Sequence, residues 1–532
     1  MKINKFTSLF ATCLLLGLTA CSNDNLSDAD PNNSAKDKDL TGKTSFSITS
    51  EAKTRTSGVY DSGVKFYWTT KDNIWVNSGT TTSPTLTASS SNNITSTTTS
   101  AKFYFDGTYT AASYPVRYTG NESTSGNTVT IATSQNQDEA NNATQLGTVG
   151  DCGVGTATRQ TDGSYKFNLS HEASYITFMP YYSKEELAAS AVVTQINVTV
   201  ANGESLAGTF NFSDSGLGTA ISSSSSNSVT LTLNGTSSET GFPIPTTATA
   251  SKNAAIMVVA PGTYSTFKVT YTLYDSVTGT KSTISYTYSD INCTAGKNQV
   301  IKTDLGMATY TSRKTNYYMW DAKSNYWNGE SSQPLLNNDE NTNYARSSAD
   351  TRWYNTAFTF EVQTKAINSC KDEPTFEALT WYIGAGSPRL DKKTLWVFAN
   401  HLYVGGIWLK KQSKISGFSS EENYQGTNTW ISGKDIKFTV AISGKPESSV
   451  RSDYFYLPAL GQYVDGKLTG LGEKGYYWAS TPNPVNNGPK GADYGKVISA
   501  NCLRFGIDTE LNNVYVRNYY ERYVGMQVQA FE

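Results

Sequence analysis

The chain has 532 residues, with 43 Lys and Arg set against 45 Asp and Glu for a net charge of -2. That balance gives no electrostatic case for nucleic acid, and the length exceeds what one hydrophobic core holds, so two to four domains are expected. Charged residues are only 17%, while Ser, Thr, Asn, Gly and Tyr abound. This suits extracellular β-structure, in which threonine and aromatics fit strands and Gly and Asn fit tight turns.

The first residues read as an export signal. Lys2 and Lys5 lead into an apolar run from Phe6 to Leu18 that is too short to cross a bilayer as a stable helix. It ends in Leu18-Thr19-Ala20-Cys21, which resembles the lipobox of bacterial lipoproteins. The resemblance implies cleavage before Cys21, lipid on its thiol, and a stable outer-membrane anchor, because more than one acyl chain is attached. Residues 1–20 are therefore left out of the fold. Residues 21–43 are Asn, Asp, Ser and Lys with few apolar side chains; they cannot bury enough surface to order themselves and read as a flexible tether.

From about Thr44 the pattern becomes short alternating runs: TSFSITS, VKFYWTT, NIWVNSG, AKFYFDGTY, NTVTIATSQ and GSYKFNLSH, separated by turn residues. Short strands with regular turn signals predict a β-sandwich over 44–160, with Trp68, Ile74 and Val76 in its core. YITFMPYY, INVTVAN, AGTFNFS, VTLTLNG, AAIMVVAPG, FKVTYTLYD and TISYTYSD continue in kind and predict a second sandwich over 161–306. Leu169, Ile176 and Phe178 are expected on one face with their neighbours in solvent. The serine tract at 222–227 is expected as an exposed loop. His171 has no Asp or Ser at a triad-like spacing, so it reads as a structural histidine.

TRTSGV, VKFYWTTKDNIWV, Tyr114-Pro115, NTVTIATSQ, YKFNLSHEASYITF, AAIMVVAPGTYSTF and TAGKNQVIKTDL follow one another in the order of the landmarks of Bacteroides-type fimbrillin-like proteins. The resemblance covers about residues 44–306. It implies two transthyretin-like β-sandwich domains in series and a stalk, anchor or tip role in surface fimbriae. It also implies removal of an early strand by proteolysis after an arginine, the gap being filled by a strand from a neighbouring subunit; Arg55, in KTRTSG, is the matching position.

Beyond Leu305 the composition shifts. Eight of the ten tryptophans and nineteen of the 34 tyrosines lie at or beyond Tyr310, which predicts a linker at 307–315 and a third domain at 316–532. DEPTFEALTWYIGAG is the best helix candidate, with Asp372 as N-cap, Pro374 in the first turn and an end at Gly384. YLPALG (Tyr456, Leu457, Pro458, Ala459, Gly461), GYYWAS (Tyr476, Tyr477, Trp478, Ser480) and the closing Arg522, Gly525 and Val528 resemble the Fibrobacter major-paralogue domain, itself similar to the C-type-lectin-like α+β fold. The family often has arginine where this chain has Gln527, and its Cys-Pro before the helix is here Cys370 and Pro374 with three residues between. No Glu-Pro-Asn-like loop is present, so no calcium-dependent sugar site is implied. The expected fold class is thus mainly β: two transthyretin-like sandwiches followed by an α+β C-type-lectin-like domain.

With Cys13 in the signal and Cys21 lipidated, Cys152, Cys293, Cys370 and Cys502 remain, which allows three pairings in an oxidising compartment. Cys370 and Cys502 share the C-terminal region and are the favoured disulfide; Cys152–Cys293 is weaker. With no CxxC and only His171 and His401, neither a zinc site nor a cofactor is expected. HExxH, GxSxG and P-loop patterns are absent. Asp372, Glu373 and Glu377 could supply the two carboxylates of a glycosidase, but one helical surface explains them more simply, and no enzyme is expected. His401 reads as a structural histidine near a strand end. Nineteen tyrosines exceed what one core can hide with every hydroxyl satisfied, so some aromatics are expected at the surface, where they stack on sugar rings or contact proteins.

The expected role is a fimbrial tip or accessory subunit and cell-surface adhesin. Its partners would be other fimbrial subunits, the outer membrane through lipid, and a host or bacterial surface glycan or protein. The tip reading follows from the third domain, since VYVRNYYERYVGMQVQAFE reads as strands of that domain and is poorly suited to donation. The alternative is a non-polymerising surface glycan-binding lipoprotein of a nutrient-uptake system.

Overall fold

The computed structural model describes residues 40–48, 57–60, 64–233, 240–356, 365–426, 435–483, 499–507 and 512–532. Cys21, residues 21–39 of the expected tether and Arg55 lie outside the described residues, and at the tether's far end Lys43 already belongs to the first strand. The protein is mainly β, and Lys43–Glu532 forms one compact unit.

The chain enters its first sheet through Lys43–Ile48 (β1). Ser57–Tyr60 (β2) and Val64–Tyr67 (β3) pair with each other as a separate antiparallel ribbon. Lys102–Asp106 (β4) and Tyr165–Phe167 (β5) flank β1, antiparallel and parallel respectively. The nine-stranded sheet runs Leu86–Ala88, Trp75–Asn77, Ser113–Tyr118, Gly153–Arg159, β5, β1, β4, Ser91–Asn92, with Leu169–His171 also on Gly153–Arg159. Trp68, Ile74 and Val76 are fully buried in its core, as their alternating pattern predicted.

The division expected at 160 does not separate the sheets. Thr128–Ile131 pairs with Gly208–Ser213, and Ser134–Gln137 pairs in parallel with Ser228–Leu233, before Gly153–Arg159 returns to the first sheet. Two glutamines hold this crossing strand in place. Gln135 donates to Val258 O at 2.7 Å and accepts from Val258 N at 2.9 Å. Gln137 does the same with Ala254 O at 3.0 Å and Ile256 N at 2.7 Å. Their amides act as a substitute ladder for the strand Ala255–Val259, whose buried backbone groups need partners.

Ser174–Tyr181 lies between Ala255–Val259 and Asn298–Asp304. Ile176 and Phe178 are buried as expected, but so are Tyr175, Thr177 and Met179. The expected solvent face is covered, because this strand carries packed layers on both sides. Within the serine tract, Ser222–Ser224 forms a 3-10 turn.

A six-stranded sheet runs Ser134–Gln137, Ser228–Leu233, Ala191–Val200, Gly262–Asp275, Thr280–Cys293 (β6), with Phe242–Pro243 also on Ala191–Val200, so β6 is its edge strand. The expected linker at 307–315 is built into the fold. Leu305 and Met307 are buried, Ala308–Thr309 pairs with Trp396–Val397, and Thr311–Asn316 is a 3-10 helix. The predicted helix is Phe376–Gly384 (α1), one turn shorter at its start. Thr375, not Asp372, caps it: its Oγ1 accepts the Ala378 N–H at 3.1 Å.

Arg389–Phe398 (β7), His401–Lys410 (β8) and Tyr454–Pro458 (β9) are consecutive strands of a five-stranded sheet. A second, eight-stranded sheet holds GYYWAS in Lys474–Pro482, next to Met526–Gln527 and Ser499–Gly506. Arg522 is fully buried over the Trp320 ring at 4.3 Å and donates to Ser499 O at 3.0 Å. Gln527, also buried, donates to Arg313 O at 3.3 Å. Gly461 of YLPALG needs its left-handed backbone, φ 65°, and a Cβ there would come within 2.3 Å of Thr469 O.

The aromatic-rich region is joined to the sheets before it. Leu395, Val397 and Leu402 belong to the same apolar core as Val269, Tyr271 and Leu273. Thr278 Oγ1 donates to Leu402 O and Ser282 Oγ to Lys393 O, both at 2.8 Å.

Candidate functional site

The strand that precedes Arg55 is an internal one. Ser45-Phe46-Ser47-Ile48 alternates polar and apolar residues, so one face of β1 turns to the core. Phe46, fully buried, stands opposite Phe103 on β4 and Tyr165 on β5. It stacks on Tyr165 with ring centroids 4.6 Å apart, and meets the edges of Phe105 at 4.8 Å and Tyr109 at 5.4 Å. Toward solvent, Lys43 pairs with Asp106 at 3.1 Å and Thr44 Oγ1 donates to Gly107 O at 2.8 Å. Among the described strands, β1 alone connects β4 and Ser91–Asn92 to the rest of the sheet.

The chain after Arg55 is anchored elsewhere. Phe66 of β3 belongs to the second core, where it stacks on His171 at 4.1 Å. β1 and β3 thus bury their side chains in different cores. The alternating aromatics of KFYFD and YKF carried the signal for the slot, but the partners of Phe46 could not be read from them.

His171 has a partner that linear spacing concealed. Its Nδ1 lies 2.7 Å from Asp151 Oδ1 and 3.0 Å from the Tyr175 hydroxyl, which also donates to Asp151. Burial, reinforced by the Asp151 carboxylate, pushes the Tyr175 phenol and the neighbouring Cys152 thiol well above their ordinary values. Such a thiol stays protonated and inert, so the cluster is a packed polar core. His401 also has a buried partner: its Nδ1 lies 3.0 Å from Asp275 Oδ2, which accepts the Leu402 N–H at 3.0 Å.

The acidic triplet does not share one helical surface. Asp372 is exposed, Glu373 is buried in the turn before α1, and Glu377 is buried on α1 itself. Burial raises the carboxyls of both glutamates, that of Glu373 to about 8. Cys152, Cys293, Cys370 and Cys502 are all buried free thiols. Cys370 and Cys502 share one aromatic core cluster without the expected bridge. The Cys370 sulfur instead accepts the Asp321 N–H at 3.2 Å.

No family model and no curated protein matches the chain. Among solved structures it is similar to a "putative cell adhesion protein" from Bacteroides uniformis at 14% identity, over 50% of this chain and 93% of that one, with a TM-score of 0.28. A protein of the same description from Bacteroides ovatus gives 13% identity, 49% and 92% coverage and a TM-score of 0.29. A fimbrial protein from Bacteroides ovatus gives 12% identity, 55% coverage of each chain and a TM-score of 0.23.

Proposed function

We propose that this chain is a non-enzymatic fimbrial subunit and cell-surface adhesin, and that β1 is the strand which a neighbouring subunit replaces. The placement of β1 carries this reading. This six-residue strand, ahead of the candidate cleavage position Arg55, fills an internal slot of the first sheet, while the chain after Arg55 is held in a different core. Cleavage at Arg55 frees β1 and leaves the facing edges of β4 and β5 unpaired. Burial of Phe46 alone is worth about 1.5–3 kcal/mol, so the empty slot favours an incoming strand with apolar residues at alternate positions, held by main-chain hydrogen bonds.

Anchoring through lipid on Cys21 in the outer membrane belongs to the same proposal and rests on the lipobox. The tip or accessory position is supported by the segment 513–528. Val514, Val516 and Met526 are buried and Gln527 pairs with both Tyr317 and Tyr477. Withdrawing this segment exposes a packed core at roughly 25 cal/mol per Å², which makes it a poor donor.

The test is the N-terminus of the protein recovered from sheared filaments. A start at Thr56, with an Arg55→Ala variant that stays unassembled, is the expected result. Protein that retains β1 in every filament fraction would overturn strand replacement.

A further inference from the structure

A cavity of about 910 Å³ lies between β6 and β7, at the seam of the second and third regions. Thr283, Ile284 and Ser285 of the edge strand β6 form one wall. Opposite, β7 slips its register against β8 between Asp391 and Leu395, and this bulge turns a Lys392-Lys393 pair out of the ladder. Asp391, nearly fully buried, organises the bulge. It accepts from Lys393 N at 2.9 Å, Thr394 N at 3.0 Å, Thr394 Oγ1 at 2.6 Å and Trp408 Nε1 at 2.9 Å. Burial works against its charge, yet those hydrogen bonds outweigh it and hold the carboxyl below the usual range. Its acceptor capacity is thus spent within the protein.

The other lining charges are three lysines, Lys392, Lys393 and Lys445. All three are exposed, and none has an ion-pair or side-chain hydrogen-bond partner among the described residues. Beside them the cavity has an aromatic wall of Trp408 and Tyr456, whose rings are 4.8 Å apart, continued by Tyr310. Gly406 permits this wall: a Cβ there would stand 2.4 Å from the Tyr456 ring.

We propose that this cavity is the adhesin's ligand site and that it takes an acidic saccharide, a short glycan carrying carboxylate or sulfate. The volume falls within the roughly 300–1,000 Å³ of small-molecule clefts. Trp and Tyr faces stack on the C–H face of sugar rings, and the unpaired ammonium groups meet the anion at the rim. A neutral sugar would use the aromatic wall and leave the lysines unemployed; a purely anionic polymer would do the reverse. The proposal deepens the adhesin reading, resting on it for the surface location, and does not depend on replacement of β1.

The experiment is titration calorimetry on the uncut chain with hyaluronan tetrasaccharide and chondroitin sulfate tetrasaccharide. Maltotetraose and an oligoglutamate of matched charge serve as probes of the two halves of the site. Binding of at least one acidic tetrasaccharide, at least tenfold tighter than either control, is expected. It should fall tenfold or more in the Lys392→Ala/Lys393→Ala variant and, independently, in Lys445→Ala, which lies on a separate segment. These are surface changes, and unaltered thermal melting would show that the fold persists. Failure of both acidic sugars to bind, equal binding of either control, or indifference to both sets of lysine changes would overturn the site. None of those outcomes touches the strand-replacement reading, since the uncut chain retains β1.

Discussion

Phe46 lies face to face with Tyr165, the two ring planes only 8° apart. One aromatic comes from the six-residue β1 and the other from a strand more than a hundred residues later, so this stack ties the start of the described chain to its first core. Replacing Phe46 by Ala removes that stack and leaves a cavity among Phe105, Tyr109 and Tyr165. We expect a loss of about 3–5 kcal/mol in urea unfolding. After cleavage at Arg55 the same substitution should have no effect on the stability of the remaining chain, because β1 has left it.

Glu373 makes stability depend on pH. Burial raises its carboxyl from 4.5 to about 8. Between those values the folded protein holds a proton that the unfolded chain has released, so stability falls as pH rises through that window. The contribution is fully present below 4.5 and lost once pH has passed about 8, with a span of up to about 5 kcal/mol. Glu373→Gln should match the parent at about pH 4 and exceed it by a few kcal/mol at about pH 9, as read by urea midpoints across the range.

Asp275, fully buried, accepts hydrogen bonds from Val277 N and Leu402 N, each at 3.0 Å, and faces His401. Asp275→Ala leaves these groups without their acceptor at the seam between the second and third regions. Each buried donor left unsatisfied should cost about 1–3 kcal/mol. Trypsin should then cut at Arg313 or Lys314 in the variant under conditions that leave the parent intact at that stretch.

The four described cysteines should be silent toward maleimide in the folded protein. All are buried, and burial pushes each thiol up, that of Cys293 to about 11. Unfolding without reductant should release four reactive thiols beyond Cys21. A cross-linked 370–502 peptide in a non-reducing digest would show the bridge instead.

Period-two alternation was enough to find many strands and core residues, including Trp68, Ile74 and Val76, because the burial of one strand face is a local rule; the GYYWAS run was read from its resemblance to a family motif, and its strand is buried on both faces. The expected export signal ending at Cys21 and the proposed cleavage position Arg55 were read from linear motifs alone, and both lie outside the described residues. Other features had no local expression. Gln135 and Gln137 look like solvent residues in a polar run, yet they complete the backbone hydrogen bonding of a strand more than a hundred positions away. Asp151 sits twenty residues from His171, and Asp275 lies still farther from His401. The stretch at 307–315 reads as a change of composition, but Met307 is buried there, as is Leu305 just before it, and the strand that pairs with Ala308–Thr309 comes some ninety residues later. Partner choice is set by tertiary packing and by the requirement that buried polar groups be satisfied. For the same reason, the gathering of Trp408, Tyr456 and three lysines around one cavity was decided by the bulge in β7 and by the packing of β6 against it.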